Sequence, residues 1–456
     1  MSTDPVPELH FPRANPTLPF WRTQLDELDD HRTTPDLPAE CDILIIGAGF
    51  SGAATAYNLF KDREPGSVVI LEARQACSGA TGRNGGHLKP DVYFNVNYYV
   101  RKYGAEAAAE LANFEASQVL AVKQLVEDEE IDCDFNLTRA FDVHLDEEHA
   151  KKTKAAYDEL RKTGIFTSVK DVHYVPSQYA EQVTGVKNAK GGFSFTAGHV
   201  WPYKMVLHLL RLVISRGANL QTTTPVTSIS ETPDSEDRWT INCGPRGAIK
   251  TKKLIIASNA YTSAIAPQYS GKIVPVRGIC SHITVPEGKK APHLPSTYSV
   301  RYGPGLYDYQ ITRPDGTIVV GGARTTFLND ESQWYNVSDD TKLIEPAKNY
   351  YDGYMQRTFT GWENTEAYTD KLWTGIMGYT TDMVPHVGAV PSKPNQFILA
   401  GFNGHGMPLI FLTSKAVAEM VYDGKAFEET STKIPSFFKT TKDRLLSDKD
   451  EILRGS

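Results

Sequence analysis

The sequence predicts an α/β chain of two domains, one built on a parallel sheet and the other on an antiparallel sheet. Three observations carry this. An apolar run, Ile43-Leu44-Ile45-Ile46, passes straight into the glycine-rich turn Gly47-Ala48-Gly49-Phe50-Ser51-Gly52 and then into helical spacing. A similar strand, glycine turn and helix close the chain between Phe397 and Tyr422. Between them, from Ile273 to Arg324, short β-patterned runs are separated by turns instead of helices. At 456 residues the chain exceeds one ordinary domain, which agrees with two.

Residues 1–40 hold seven prolines (Pro5, Pro7, Pro12, Pro16, Pro19, Pro35, Pro38) and no sustained period, so an extended arm is expected, with Phe20-Trp21 able to pin it to the body. Four apolar residues ending in glycines then read as a buried parallel strand. Gly47 permits a tight turn, Gly49 lets the backbone approach a pyrophosphate, and Gly52 lets helix and strand pack closely. The second strand, Val68-Val69-Ile70-Leu71, ends at Glu72, 20 residues beyond Gly52. A carboxylate there accepts hydrogen bonds from both ribose hydroxyls and repels a 2′-phosphate. The unit is therefore Rossmann-like, favouring FAD or NAD over NADP.

After Glu72 the loop from Ala76 to His87 holds four glycines in the nine residues from Gly79 to His87. Such density lets backbone amides converge on a ligand, and Arg83, Asn84 and His87 are the polar groups the loop would present. Gly104 to Glu130 carries helical spacing, as does the charged stretch Asp146 to Lys162. Phe135 to Leu145 and Gly192 to Phe195 look like strands of the antiparallel sheet. Val200 to Gly217 is an amphipathic helix. Lys253 to Ala260 is an apolar run ending in small residues, a third parallel strand that brings Asn259 to the ligand end of the sheet. Pro314-Asp315-Gly316 marks a hairpin before Thr317 to Gly322. Asp339 to Phe359 reads as helical and Lys371 to Val390 as glycine-punctuated. Phe397 to Ala400 is a strand, Gly401 to Met407 a turn and Ile410 to Tyr422 a helix. The resulting division is an arm (1–40), a discontinuous dinucleotide-binding domain (41–100, 196–272 and 371–430), a substrate domain (101–195 and 273–370) and a tail (431–456).

Lys plus Arg is 48 and Asp plus Glu 55, so the net charge is 48 − 55 = −7, with no electrostatic footprint for nucleic acid. A small-molecule substrate is the better fit. Cys41, Cys77, Cys133, Cys243 and Cys280 are scattered, odd in number and never in CxxC spacing, which suits a reducing compartment; no metal site is expected. The N-terminus lacks a signal-peptide order, and no apolar run nears the roughly 20 residues that span a bilayer. An intracellular, cytoplasmic protein with no membrane partner is expected. Asn136-Leu137-Thr138 and Asn336-Val337-Ser338 would need a secretory context to be glycosylated. The tail Leu453-Arg454-Gly455-Ser456 carries no peroxisomal address.

Residues 41 to about 425 resemble the D-amino-acid oxidase-like family of flavoproteins, which includes sarcosine oxidases, glycine oxidases and γ-glutamylputrescine oxidoreductases. Three segments carry the resemblance: the Gly47–Gly52 turn with Glu72, the loop Gly79-Ala80-Thr81-Gly82-Arg83-Asn84-Gly85-Gly86-His87, and the turn Gly401-Phe402-Asn403-Gly404-His405-Gly406. The loop is most similar to the γ-glutamylputrescine oxidoreductase branch and the turn to sarcosine oxidases. The resemblance implies FAD across the parallel-sheet domain, its isoalloxazine edge meeting the antiparallel substrate domain. It implies a cofactor set of Gly47, Gly49, Phe50, Ser51 and Gly52 near the pyrophosphate and Glu72, Ala73 and Arg74 near the ribose. Gly79, Ala80, Thr81, Arg83, Asn84, Gly85, Gly86 and His87 follow, with Arg83 to His87 along the flavin. Val226 meets adenine through its backbone, Asn259 closes the third strand, and Gly401, Asn403, Gly404, His405, Gly406 and Met407 form the turn at the pyrimidine edge.

Two departures matter. Sarcosine oxidases follow their turn closely with a lysine that binds substrate carboxylate, whereas Met407-Pro408-Leu409 follows here. Their flavin-tethering cysteine has no counterpart in Met377-Gly378-Tyr379-Thr380, so noncovalent FAD is expected, with His87 the alternative tether. Hydride reaching flavin N5 leaves negative charge near N1 and C2=O, which the positive end of a helix starting near Leu409 would stabilise. His405 would add a donor there, or hold the turn together through the backbone.

The expected activity is oxidation of the C–N bond of a small amine or amino-acid-like substrate, with O2 as acceptor. The alternatives are a dehydrogenase serving another acceptor and a protein that keeps FAD as a structural ligand. Arg83, His87, Arg277 and Tyr379 are the candidates for the catalytic face, Arg277 equally a structural ion pair. Lys89 or Arg277 would supply the positive charge that favours reaction with oxygen. Tyr98, Tyr99, Tyr307, Tyr309, Trp334 and Tyr335 would line a pocket for a bulky or cationic amine.

Overall fold

A strand that is apolar without alternation needs cover on both faces, and the computed structural model, which describes residues 10–453, gives Glu40–Ile46 that position. It pairs in parallel with Ala248–Ile256 on one side and Val68–Leu71 on the other. Asn219–Gln221 extends the sheet beyond Val68–Leu71, and Gln396–Ala400 extends it beyond Ala248–Ile256, both in parallel. His386–Ala389 closes one edge in antiparallel pairing. The helix Phe50–Phe60, apolar or small nearly all round, is buried along its whole length and packs against Pro202–Ser215 and Ile410–Tyr422.

The second sheet runs in the order Tyr368–Thr380, Ile273–Thr284, Ile318–Gly321, Leu306–Thr312, Thr297–Gly303, Asn136–His144, Gly191–His199, His87–Leu88. All pairings along this path are antiparallel except Thr297–Gly303 against Asn136–His144, which is parallel. The helices expected after Gly104 and Asp146 form as Ala105–Asp128 and Glu147–Thr163, the latter capped by the Asp146 carboxylate accepting from the His149 N–H.

Three expectations are corrected. Residues 371–380 belong to the second sheet, because Tyr368–Thr380 pairs along its whole length with Ile273–Thr284; His87–Leu88 and residues 196–199 join that sheet too. Residues 339–359 hold only the 3-10 turn Glu345–Ala347 and the short helix Tyr354–Thr358. Pro346 removes a backbone donor, and Gly353 sits at φ +63°, outside helical space. The helices Val96–Tyr103 and Ser177–Thr184 were not anticipated.

The arm is pinned as expected. Trp21 is buried, its Nε1–H donates to the Asn84 carbonyl at 2.6 Å, and Trp201 Nε1–H donates to the Trp21 carbonyl at 2.8 Å. Pro5, Pro7 and the terminal Arg454-Gly455-Ser456 lie outside the described residues. All five cysteines are buried and unpaired. Among the described residues no helix is long and apolar enough to cross a membrane, and no group of three or more His, Cys, Asp or Glu could hold a metal ion.

Candidate active site between the two sheets

A single cleft runs from the C-terminal ends of the parallel strands to the face of the second sheet, enclosing about 2080 Å³ with its open mouth included. Ligands bind at this end of open parallel sheets because the glycine turn and helix N-terminus converge there. A Cβ on Gly52 would lie 1.9 Å from the Gly47 carbonyl oxygen, and one on Gly47, at φ +111°, would lie 2.7 Å from that of Ala257. Thr81 Oγ1 accepts the Phe50 N–H at 3.0 Å, whereas the N–H groups of Gly49 and Ser51 meet no oxygen among the described residues. First-turn amides have no intrahelical partner, so they are free for an anion.

Glu72 lines the cleft, its carboxylate steadied by the N–H groups of Ala48 and Arg74, both at 2.9 Å. Ala73, Arg74 and Val226 line the same end, joined by Phe11 and Pro12 of the arm. The Arg74 guanidinium turns to Asp340 at 2.9 Å. Gly79, Ala80, Thr81, Arg83 and Asn84 continue the wall.

Arg83 takes a different task from the catalytic one expected. Its guanidinium donates to the carbonyls of Ser78, Thr374 and Thr17 at 2.9, 2.7 and 2.7 Å, and Asp340 lies 3.6 Å away. The loop therefore uses Arg83 to bind the arm to the second sheet. His87 lies outside the cleft: it pairs with His199 at the sheet edge, its Nε2 meets Thr297 Oγ1 at 2.7 Å, and burial pushes its pKa well below the ordinary range. Neither catalysis nor a flavin tether suits it. Gly85 and Gly86 are also behind the wall, giving room to the Tyr309 ring and the Val200 carbonyl.

At the other end stand Arg277, Tyr307, Tyr309, Arg324, Phe327, Trp334 and Tyr379. Arg277 has no ion-pair partner within 4 Å among the described residues; its Nε donates to the Gln333 carbonyl at 2.8 Å and its Nη1 to that of Asp339 at 3.3 Å. Burial raises the Tyr379 pKa, which Arg324 partly offsets. Tyr98, Tyr99 and Tyr335 are not in the cleft: Tyr98 bonds Glu451, Tyr99 stacks toward Phe437, and Tyr335 donates to Asp450 at 2.8 Å. Lys89 is committed to the buried Asp142 at 3.0 Å, together with Arg301 at 2.9 Å.

The closing turn meets the cleft between these ends. Asn259 Oδ1 accepts the Gly401 N–H at 2.9 Å and Asn403 Oδ1 accepts that of Thr380 at 2.8 Å, so Gly401 and both asparagines fix the turn. Gly404, Gly406 and Met407 line the cleft, and their N–H groups meet no oxygen among the described residues. His405 Nε2 meets Glu115 Oε2 at 2.6 Å; burial opposes the imidazolium, but the carboxylate outweighs it and raises the His405 pKa. Glu115 and Gln118 come from Ala105–Asp128, and Gln118 Oε1 accepts the Leu412 N–H at 3.1 Å, capping Ile410–Tyr422 from outside. Sequence reasoning missed both, although a Glu and a Gln beside Leu111, Phe114, Val119 and Val122 interrupt an apolar stripe. It also missed Arg324.

Two rows of unengaged N–H groups, one at a helix N-terminus and one at a turn, with a ribose-type carboxylate between strands, fit a flavin dinucleotide. A model of the FAD-dependent oxidoreductase family matches residues 42–420. Over 387 residues the chain is 23% identical to γ-glutamylputrescine oxidoreductase of Escherichia coli (strain K12), an alignment covering 84% of this chain and 83% of that one. Glycine oxidase from Geobacillus kaustophilus shares the fold at a TM-score of 0.68 and 21% identity, covering 89% of this chain and 99% of that one. L-proline dehydrogenase from P. horikoshii does so at 0.67 and 20%, covering 88% and 98%.

Proposed function

The chain belongs to the family of FAD-dependent oxidoreductases, and from that premise we propose that it oxidises the C–N bond of a small amine or amino-acid-like substrate, with O2 as electron acceptor. The observation that carries the reading is the continuity of the cleft: a dinucleotide cradle opens directly into an aromatic chamber on the second sheet. The relatives named for γ-glutamylputrescine and glycine support an amine substrate.

FAD, when bound, supplies the hydride acceptor. Gly47, Gly49, Ser51 and Gly52 hold its phosphates and Glu72 its ribose. The free N–H groups of Gly404, Gly406 and Met407, the positive end of Ile410–Tyr422 and the His405 imidazole form one donor cluster that favours accumulated negative charge. Tyr307, Tyr309, Phe327 and Trp334 exclude water and restrict the substrate's orientation. Arg277 and Arg324 are the ionised side chains of that chamber, and like charge disfavours an ammonium, so the substrate's nitrogen is held neutral and needs no strong base. Of Lys89 and Arg277, the two cations expected to assist reaction with oxygen, Lys89 is committed to Asp142 and Arg277 stands in the chamber. The FAD is noncovalent: His87 is outside the cleft, and burial pushes the Cys280 thiol, against Tyr309, up to about 11.

The test is an absorbance spectrum of the purified protein before and after anaerobic addition of polyamines, N-methyl amino acids, cyclic imino acids and D-amino acids. Flavin bands that bleach with one class are expected, with peroxide forming on readmission of air. Bleaching without peroxide replaces O2 by another acceptor. Bands that no amine bleaches overturn the reading.

A further inference from the structure

The long helix Ala105–Asp128 buries a carboxylate against the closing turn. Glu115 is 2% exposed and shares its helix with the core residues Leu111, Phe114, Val119 and Val122, a setting in which an ionised group is costly unless it is paired. Among the described residues it has no Lys or Arg within 4 Å, and the ionisable side chain it meets is His405, whose Nε2 lies 2.6 Å from Glu115 Oε2. The same oxygen accepts the Asp91 N–H at 2.6 Å. One turn along the helix, Gln118 Oε1 accepts the Leu412 N–H at 3.1 Å and its Nε2 donates to the Leu409 carbonyl at 3.2 Å. The helix is thereby keyed to the start of Ile410–Tyr422, and Glu115 is held in register with the turn.

The other charges near His405 are spent elsewhere. Lys89 faces Asp142 at 3.0 Å, the Asp91 carboxylate accepts the N–H groups of Phe94 and Asn95 at 2.8 and 3.1 Å, and burial keeps His87 neutral. Tyr379 meets the turn as an uncharged phenol, its hydroxyl 3.0 Å from where a Cβ on Gly404 would lie. The charge of His405 is thus left to Glu115. Bonding to a carboxylate places one proton on Nε2, so Nδ1 is the atom that gains or loses the second. Nδ1 has no partner among the described residues, and the ring lines the cleft with 39% of its side chain exposed. Glu115 is not part of the cleft wall, so the positive member of the pair stands nearer the ligand than the negative one.

We propose that Glu115 is a positioning residue that acts through His405 to set how readily the bound flavin accepts electrons. The inference rests on the reading that FAD occupies the cleft with its pyrimidine edge at the closing turn, and it deepens that reading. The N–H groups of Gly404, Gly406 and Met407 and the helix N-terminus supply partial charges there, whereas an imidazolium supplies a full one, and reduction adds negative charge to that edge. Control of the flavin then comes from Ala105–Asp128, a helix outside the dinucleotide cradle.

The test uses FAD-loaded wild type, Glu115→Gln, His405→Asn and the double variant, and it needs no amine. The two-electron potential of the bound flavin is measured at pH 7 against a reference dye. Sulfite, whose addition leaves negative charge on the same edge of the flavin, is titrated while the flavin absorbance is followed. Glu115→Gln should weaken both equilibria about tenfold, which for a two-electron couple is about 30 mV. His405→Asn should lose at least as much, and adding Glu115→Gln to it should lower neither quantity further, because the carboxylate works through the ring. A purely structural role would lower the melting temperature and leave both quantities alone. Wild-type potential and sulfite affinity in Glu115→Gln, or a further drop in the double variant, overturn the proposal. A flavin that no amine bleaches but whose potential falls in this pattern sinks the amine reading and upholds this one; bleaching by an amine with an unmoved potential does the reverse. If Glu115→Gln fails to hold FAD, Glu115→Asp decides: wild-type values overturn the proposal, and a partial loss of both supports it.

Discussion

At the scale of single residues, backbone space decides what each position can be. Gly52 is the tightest case: the Cβ of an alanine would lie 1.9 Å from the Gly47 carbonyl oxygen, which belongs to the cradle itself. Gly52→Ala should therefore lower both the FAD content of the purified protein and its melting temperature, with a stability cost of about 1–3 kcal/mol or more. A variant that keeps full flavin and an unchanged melting temperature would contradict the packing role. Gly52 and Glu72 were legible in the sequence because their tasks depend on a turn and a strand end a few residues long. Arg83 and His87 were misread for the opposite reason. Their loop is recognisable, but whether a side chain enters the cleft or turns away is settled by Thr17, Thr374 and Thr297, which are distant in sequence. Arg324 escaped notice because nothing local marks it; Asp308 and Trp334 give it direction.

Elements show the same division between local and distant causes. Four parallel strands, Glu40–Ile46, Val68–Leu71, Ala248–Ile256 and Gln396–Ala400, and the helix after Leu409 were legible because burial imposes continuous apolar runs and helical spacing, whereas the short polar strand Asn219–Gln221 carried no such signal. The stretch 339–359 carried helical spacing too, yet Pro346 and the left-handed Gly353 divide it into short turns. The long helix Ala105–Asp128 was expected, but its use was hidden. Glu115 and Gln118 reach across to the closing turn, bonding His405 and Leu412, residues more than 280 positions away. This clamp has a signed consequence. Burial opposes the His405 charge and Glu115 outweighs it, so the folded pKa lies above the unfolded value near 6.5. The stability that His405 contributes is full below that unfolded value and is lost as pH rises through the folded pKa. Glu115→Gln removes the cause, so an NMR titration should show the His405 pKa falling. The variant's loss of melting temperature should be larger at pH 6 than at pH 9. An unmoved His405 titration would remove Glu115 from the account.

Over the whole molecule, both sheets depend on histidines kept neutral and on an arm that crosses between them. Burial, the largest cause in each case, depresses the pKa of His144 to about 3, of His199 to about 4 and of His386 to about 3. Each stands on a different strand, Asn136–His144, Gly191–His199 and His386–Ala389. For a depressed pKa the stability is full above the unfolded value near 6.5 and is lost as pH falls toward the folded one, because the unfolded chain takes up the proton first. Each histidine then removes up to about 1.4 kcal/mol per pH unit. The melting temperature should fall between pH 6.5 and pH 4, and less steeply in His386→Gln, whose ring otherwise bonds Thr440 at 3.1 Å. The same slope in that variant and in wild type would exclude His386 as a contributor. The arm makes the stronger claim. Trp21 packs on Phe20 and Trp201 and bonds the cofactor-side loop at Asn84, while Phe11 and Pro12 of the same arm form part of the cleft wall at the Glu72 end. Arg83 and Arg74 bind the arm's carbonyls at Thr17 and Arg13, at 2.7 and 3.0 Å, so the segment is fastened at both ends of its passage over the cleft. Trp21→Ala should cost about 3–5 kcal/mol, seen as a lower melting temperature. If the arm seals the dinucleotide as this geometry requires, the same variant should also release FAD faster, followed as the rise of free-flavin fluorescence on dilution. A destabilised variant that releases FAD at the wild-type rate would confine the arm to joining the two sheets.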